Sequence, residues 1–198
     1  FRENTIRVSA SKKQSIKSIV SYIEQNRSKF LTRIQKKVRP VLEEGVYYFW
    51  GEKLDKISNI QGRYFDINIQ NKTICIPTSN IDQLGKRLLN FEKKCMLNQL
   101  NNLKEKYIDN QYIDIKNITF GTRYTKSRFG SCNSKTHKIN INLDLIHYDK
   151  KFLEYIFLHE ITHINVQNHS KDFYTLFNKL SPNYKQTRLE LKNIYRSR

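Results

Sequence analysis

The sequence predicts an α+β fold in which a smaller N-terminal portion precedes a larger, helix-rich C-terminal portion. Runs of β-branched and aromatic residues with strand-like alternation occur in both halves of the chain. Apolar residues at helical spacing mark a long helix in the middle, and three further helical segments close the chain. A break of Pro, Thr, Ser and Asn lies at residues 77–80, so we expect domains at residues 1–79 and 80–198, or one continuous domain across both.

The N-terminal portion is expected to contain a strand, a helix and a hairpin. Residues 5–9 alternate like a short strand, and residues 16–38 carry apolar side chains at helical spacing until a proline ends the helix. Residues 46–50 and 63–76 are rich in Tyr, Phe and Ile and are predicted strands, with a hairpin turn at Asn71-Lys72.

The C-terminal portion is expected to begin with a long helix at residues 81–107. Strands are predicted at residues 115–120 and 138–146. Three helices then follow, beginning near residues 151, 171 and 184.

Positive charge dominates the chain, because 36 Lys and Arg residues face 18 Asp and Glu residues and give a formal net charge of +18. Such a surface attracts nucleic acid, nucleotides and other polyanions. We hypothesise that the basic residues of the helix at 16–38 and of the loop at 123–138 form a polyanion-binding surface. Solvated basic faces on a helix and a loop would explain the same residues.

Cysteine usage and hydropathy predict a cytoplasmic protein without a membrane span. The three cysteines, Cys75, Cys95 and Cys132, form no CxxC pair and are expected to be free thiols in a reducing compartment. No signal peptide is visible, and no apolar run approaches the ~18 residues that a spanning helix needs.

The stretch from His159 to His163 reads HEITH and is an HExxH motif. Histidines four residues apart lie on one helix face, so both imidazoles can bind one zinc ion. Glu160 lies a step around the helix, where its carboxylate can take a proton from a metal-bound water without binding the metal. Apolar flanks predict a buried helix, in which these polar residues need a role. Core histidines satisfied by hydrogen bonds are the alternative.

His169 is the candidate third metal ligand. It follows His163 by six residues, an offset that points to another face within one continuous helix. The helix is therefore expected to end at Gln167-Asn168, since Asn tolerates the left-handed conformation, and Ser170 is expected to cap a new helix. Three protein ligands with one open position are typical of catalytic zinc. The alternatives are a surface position for His169 and a ligand role for Glu154 or Glu190.

Further segments resemble the motifs of a known family. They read SRFGSC at residues 127–132, KININL at 138–143 and NHS at 168–170, the last followed by Phe173-Tyr174. Together with HEITH they are similar, in the same order, to the R-W-G-S-C-[ST] loop, the I-x-L-N strand, HELxH and N-H-S-x-x-F-W of the YgjP-like metallopeptidases. That family is related to the SprT-like and WLM zinc proteases. The likeness is specific over the C-terminal third of the chain and looser before it.

The resemblance implies a zincin-like catalytic unit with an HExxH active-site helix. It implies one zinc ion per chain, held by His159, His163 and His169, with Glu160 as the catalytic residue. The chain departs from the family pattern in packing positions, where Phe129 and Tyr174 replace tryptophan and Thr162 replaces a small residue. These changes leave the metal residues intact and bear on substrate preference.

Four residues near the motif are candidates for substrate binding. Asn140 and Asn142 alternate with isoleucine on the strand before the HExxH helix, and in zincin folds that strand can pair with an extended peptide. A merely half-buried strand would show the same alternation. Arg123 and Arg128 flank the turn at Gly130 and could bind phosphates or stabilise an oxyanion, unless the loop is only solvated.

The sequence thus predicts a zinc metallohydrolase, and by resemblance a metallopeptidase, that acts on peptides or proteins with a Glu-activated, zinc-bound water. One alternative is a metal-dependent nucleotide phosphoanhydride hydrolase, since the same chemistry can attack phosphorus and the basic surface suits such a substrate. A second alternative is a nucleic-acid-binding module with structural zinc. The presence of Glu160 and the expected open coordination position argue against the second alternative.

Overall fold

The computed structural model describes residues 15–26, 46–60, 65–77 and 84–196. Contacts within the chain divide it into two compact units, Phe1–Leu42 and Glu43–Arg198. The predicted strand at residues 5–9 and the predicted helix beyond residue 26 lie outside the described residues. The domain boundary after residue 79 also falls among residues that are not described, and it stays a prediction.

In the first unit, helix α1 (Ile16–Gln25) confirms the start of the predicted helix. Ser15 caps it, because its side-chain oxygen accepts a hydrogen bond from the backbone N–H of Ser18 at 3.2 Å.

The second unit mixes helices and sheets, as the α+β prediction requires. Its described strands are β1 (Tyr47–Phe49), β2 (Glu52–Leu54), β3 (Lys56–Ile60), β4 (Asp66–Asn68), β5 (Thr73–Pro77), β6 (Thr119–Arg123), β7 (Gly130–Asn133) and β8 (Lys138–Asn142). They form three sheets with the strand orders β1-β2, β3-β5-β4 and β6-β8-β7. Its described helices are α2 (Leu84–Tyr107), α3 (Lys150–Asn165), α4 (Lys171–Leu180) and α5 (Tyr184–Arg196).

The helices confirm the long central helix and the three closing helices that the sequence predicts. Helix α3 is the central element, since most of its side chains are buried, among them Phe157 and Ile161, which are both fully buried. None of the described helices combines the length and the apolar character that a membrane crossing requires.

The sheet β3-β5-β4 contains the predicted hairpin. Strands β4 and β5 are antiparallel, and the side-chain oxygen of Asn68 accepts the backbone N–H of Asn71 at 2.9 Å in the turn. Lys72 completes the turn with a φ of 52°. Strand β3 lies parallel to β5 and was not predicted, because Lys56 and Ser58 have little preference for strands.

The sheet β6-β8-β7 carries the predicted alternating strand. Ile139 and Ile141 of β8 are both buried, and β8 lies between a parallel β6 and an antiparallel β7. The strand ends at Asn142 and not at residue 146, because the Asn142 side chain accepts the backbone N–H of Asp144 and starts a 3-10 helix (Leu143–His147).

Strand β6 begins at Thr119, whereas the sequence predicts a strand from residue 115. The Asp114 carboxylate accepts the backbone N–H of Lys116 at 3.0 Å, and the N–H of Ile118 bonds to the carbonyl of Ile115 at 3.3 Å. These contacts form a turn, so the buried isoleucines here belong to a loop and not to a strand.

A fully buried carboxylate of the long helix contacts segments of the second unit that are distant from it in sequence. Glu92 of α2 has no exposed surface and accepts hydrogen bonds from the hydroxyls of Tyr47, at 3.1 Å, and Tyr124, at 2.8 Å. His147 lies 3.8 Å from the same carboxylate. Tyr124 opens the loop that leads to Arg128, so this buried cluster fixes the start of a loop that borders the candidate site.

Candidate metal centre and catalytic cleft

Three histidines of the second unit converge on one point. The ligand nitrogens of His159, His163 and His169 all lie within 4.8 Å of one another, and the Nε2 atoms of His159 and His169 are 3.1 Å apart. In the described part of the chain, this is the group of three or more His, Cys, Asp or Glu side chains that is close enough to hold a metal ion. Imidazole nitrogens are ligands that zinc prefers, so the donor set fits the expected metal.

The break between two helices brings His169 to the other two histidines. Helix α3 carries His159 and His163 and ends at Asn165, where the N–H of Val166 bonds to the carbonyl of Thr162. Ser170 caps α4, as predicted, and its hydroxyl accepts the backbone N–H of Phe173. The chain thus reverses within a few residues, and His169 lies in the connection.

The way in which α3 ends differs from the prediction. The backbone leaves the helix in an extended conformation at Val166, with a φ of −129°. Asn168 has no left-handed conformation, since the positive φ values of the described non-glycine residues belong to Trp50, Lys72 and His137. The helix therefore ends through an extended residue and without a left-handed one.

A backbone carbonyl fixes the orientation of His163. Its Nδ1 lies 3.0 Å from the carbonyl oxygen of Val166, and because a carbonyl can only accept, Nδ1 carries the proton and donates it. The Nε2 of His163 is then free of hydrogen and can bind a metal. Metal-binding histidines in proteins are held in this way by a second hydrogen bond.

Burial keeps the histidines in the form that binds metal. Burial lowers the pKa of His159 to about 3, and the neighbouring His163, His169 and Arg188 lower it further. Burial also lowers the pKa of His163, although its hydrogen bond to Val166 acts in the opposite direction. Neutral imidazole is the metal-binding form, so protons compete only weakly with a metal for these two side chains near neutral pH.

An aromatic side chain packs against all three rings. Phe173 of α4 is fully buried, and its ring centroid lies 5.0 Å from His159, 4.6 Å from His163 and 4.8 Å from His169. This apolar backing restricts the rotamers of the three imidazoles and limits the access of water from that side.

Glu160 projects from α3 against β7. Its side chain is buried, and a Cβ placed on Gly130 would lie only 2.5 Å from its Oε1, so the absence of a side chain at residue 130 makes room for this carboxylate. Burial raises the pKa of Glu160 to about 7, and the positive charge of Arg128 partly opposes that shift. A carboxyl group with such a pKa can both accept and return a proton near neutral pH.

Two carboxylates considered as other metal ligands are engaged elsewhere. Glu154 forms an ion pair with Lys106 at 2.6 Å and accepts the hydroxyl of Tyr107. Glu190 forms an ion pair with Lys151, also at 2.6 Å.

His159 and Glu160 face a cavity of about 430 Å³. Its walls come from the loop before β7, from α3 and from α5, and its lining residues are Arg128, Phe129, Gly130, Tyr155, Ile156, His159, Glu160, Arg188, Leu191 and Lys192. A volume of this size is typical of sites that bind small ligands or part of a chain.

The residues predicted to bind substrate separate into two groups. Arg128 lines the cavity together with Glu160. Arg123, Asn140 and Asn142 lie with Arg128 around a neighbouring recess of about 10 Å³, which has room for one water molecule at most. The Asn142 amide is buried and donates to the carbonyls of Thr125 and Arg128. It thereby holds the loop that carries Arg128, and a direct role in binding stays a prediction for these residues.

Sequence reasoning missed the part of the cavity that α5 supplies. Arg188, Leu191 and Lys192 line it from a helix that is distant in sequence from the HExxH motif. The available pattern was a pair of cations four residues apart with a leucine between them, which places all three on one face of a predicted helix. Nothing in the sequence placed that face opposite His159.

Comparison with known proteins identifies the chain by family. The family model described as "YgjP-like, metallopeptidase domain" matches residues 2–194. Two solved structures are similar. The metallopeptidase zymogen abylysin of Pyrococcus abyssi is 18% identical with a TM-score of 0.41, and the match covers 50% of this chain and 92% of that chain. The metallopeptidase zymogen jannalysin of Methanocaldococcus jannaschii is 19% identical with a TM-score of 0.40, and the match covers 50% of this chain and 94% of that chain. The search of curated proteins found no match.

Proposed function

This chain belongs to the YgjP-like metallopeptidase family, and from that premise we propose that it is a zinc-dependent metallopeptidase. His159, His163 and His169 would hold one zinc ion per chain, and Glu160 would be the general base and then the general acid. We also propose that residues 80–198 are the catalytic portion, since all four of these residues lie there.

One observation carries the proposal. His159, His163 and Glu160 lie on α3, and His169 lies in the connection that follows it. The three histidines form one cluster, and His159 and Glu160 face the same cavity. A metal held only for structure needs neither a neighbouring buried carboxylate nor an adjacent cavity.

The residues of the chain perform the proton transfers. When bound, zinc supplies a Lewis acid that acidifies water and polarises a peptide carbonyl. The Glu160 carboxylate takes a proton from the attacking water as the new C–O bond forms at the carbonyl carbon. It then donates that proton to the nitrogen of the leaving amine as the C–N bond breaks. The cavity beside Glu160 receives the part of the peptide next to the scissile bond.

An activity screen tests the proposed reaction. Protein freed of metal by a chelator and then given one equivalent of zinc is incubated with a peptide library and, separately, with nucleoside triphosphates. We expect zinc to restore cleavage of peptide bonds, read by mass spectrometry. Release of phosphate or pyrophosphate without any peptide cleavage would contradict the proposal and support the nucleotide hydrolase.

The contact between Gly130 and Glu160 gives a further prediction. We expect Gly130→Ala to lower peptide turnover about 10- to 100-fold. A methyl group at this site must displace the Glu160 carboxylate, and the carboxylate would then no longer be aligned with the attacking water. Turnover is measured at matched zinc content. The control is Gly85→Ala in α2, where an added Cβ meets no atom within 4 Å. Equal turnover in the two variants would show that the position of Glu160 is not critical.

A further inference from the structure

One side of the catalytic cavity is positively charged. Arg128, Arg188 and Lys192 line it, and all three are exposed at its rim. We call these residues the cationic rim. The lining residues contain one acidic side chain, Glu160, which the proposed reaction uses. The three cations therefore outnumber the acidic groups that line the cavity.

Two cations of α5, Arg188 and Lys192, have an acidic neighbour that is engaged elsewhere. Glu190 lies on the same helix between Arg188 and Lys192, but its carboxylate pairs with Lys151 at 2.6 Å and accepts a hydrogen bond from Gln186 at 2.8 Å. Across the described part of the chain, the ion pairs of the structure include neither Arg188 nor Lys192. Both charges are therefore available to a ligand in the cavity.

Below the cationic rim the cavity is apolar. Tyr155 and Ile156 of α3 and Leu191 of α5 line it, and all three are buried. A ligand that fits must bury a hydrocarbon stem and keep a negative charge at the rim. The side chain of glutamate has this shape, with two methylene groups that end in a carboxylate, and an arginine fork binds a carboxylate in two places.

We propose that this cavity is a specificity subsite for an acidic side chain, glutamate above all, in the peptide substrate beside the scissile bond. Arg188 and Lys192 bind its carboxylate, and Tyr155, Ile156 and Leu191 contact its stem. The subsite adjoins His159 and Glu160, so an acidic residue bound there places the neighbouring peptide bond at the reacting residues. This inference rests on the proposed peptidase function and names the substrate class.

The test uses peptides that differ only in charge. From the best-cleaved peptide of the activity screen, pairs are made that carry Glu or the isosteric Gln at each position flanking the scissile bond. For the zinc-loaded wild type we expect kcat/KM to be about fivefold or more higher for Glu than for Gln at one position, as one partly desolvated ion pair would give. The ratio should fall towards one in Arg188→Gln and in Lys192→Gln.

Two controls separate the subsite from general charge and from folding. Lys185→Gln removes a cation of the same helix that is exposed and does not line the cavity, and it should keep the wild-type ratio. Arg188→Glu should favour a peptide with Lys at the same position. Each readout is a ratio within one variant, so a partly unfolded preparation does not alter it.

A binding measurement without turnover completes the test. Fluorescent Glu and Gln peptides are titrated into the zinc-loaded Glu160→Gln variant, and the Glu peptide should bind more tightly by a similar factor that shrinks as salt rises. If the wild type cleaves peptides but shows no Glu preference at any flanking position, the subsite proposal is overturned and the peptidase function stands. If the wild type cleaves no peptide, the proposed function fails and the subsite proposal fails with it.

Discussion

Replacing Glu160 with glutamine is expected to lower peptide turnover about 100-fold or more, while the zinc content and the fold remain as in the wild type. Glutamine has the same shape as glutamate and fits the space against Gly130, but its amide cannot take a proton from water. The measurement is kcat on the best-cleaved peptide at matched zinc content, with the melting temperature of each sample.

A second glutamate of the same helix provides the control for this substitution. Glu154 lies on α3, is partly exposed and pairs with Lys106, away from the cavity. Glu154→Gln should keep turnover within about twofold of the wild type, because it changes an ion pair of small net energy. If Glu160→Gln retains full turnover, Glu160 is not the catalytic base. That result would support the alternative function, a nucleic-acid-binding module with structural zinc.

Removal of the third histidine is expected to abolish stable zinc binding. His169→Ala leaves two imidazoles, and a site with three ligands that loses one holds zinc far more weakly. Zinc that binds the folded state stabilises it by an amount that rises with the logarithm of the free zinc concentration divided by Kd, about 2.7 kcal/mol when free zinc is about 100 times Kd. The zinc-induced rise in melting temperature should therefore vanish in the variant. Metal analysis after gel filtration and thermal unfolding with and without zinc measure both effects.

The other histidines of the chain allow a matched comparison. His159→Ala and His163→Ala should behave like His169→Ala, since their nitrogens belong to the same cluster. His137→Asn is the control, because His137 lies outside the cluster and has a φ of 49°, a conformation that asparagine tolerates. Full zinc content and activity in His169→Ala would show that another group completes the site.

Local patterns explain how much of the site the sequence predicts. The HExxH spacing placed His159 and His163 on one helix face, and the cap at Ser170 required a break that returns His169 to them. Both arguments depend on residues close together in the chain, and the structure brings the three histidines together. The detail that failed was the left-handed asparagine, because Val166 ends the helix in an extended conformation.

Features that depend on distant residues could not be predicted in this way. The parallel pairing of β3 with β5 joins a predicted strand to residues 56–60, where Lys56 and Ser58 carry weak strand preferences. Glu92 looked like any polar residue of a long helix, yet hydroxyls from Tyr47 and Tyr124 make its burial possible. The position of α5 beside α3, which brings Arg188 to the cavity, is likewise set by packing between helices that no local pattern encodes.

X-ray absorption at the zinc edge, including the extended fine structure, gives the identity and the distances of the atoms that bind zinc in the zinc-loaded protein. We expect a zinc ion bound by three imidazole nitrogens at about 2.0–2.1 Å and by one further oxygen. A spectrum with a sulfur ligand at about 2.3 Å, or with only two imidazoles, would contradict the assignment of His159, His163 and His169 as the catalytic metal site.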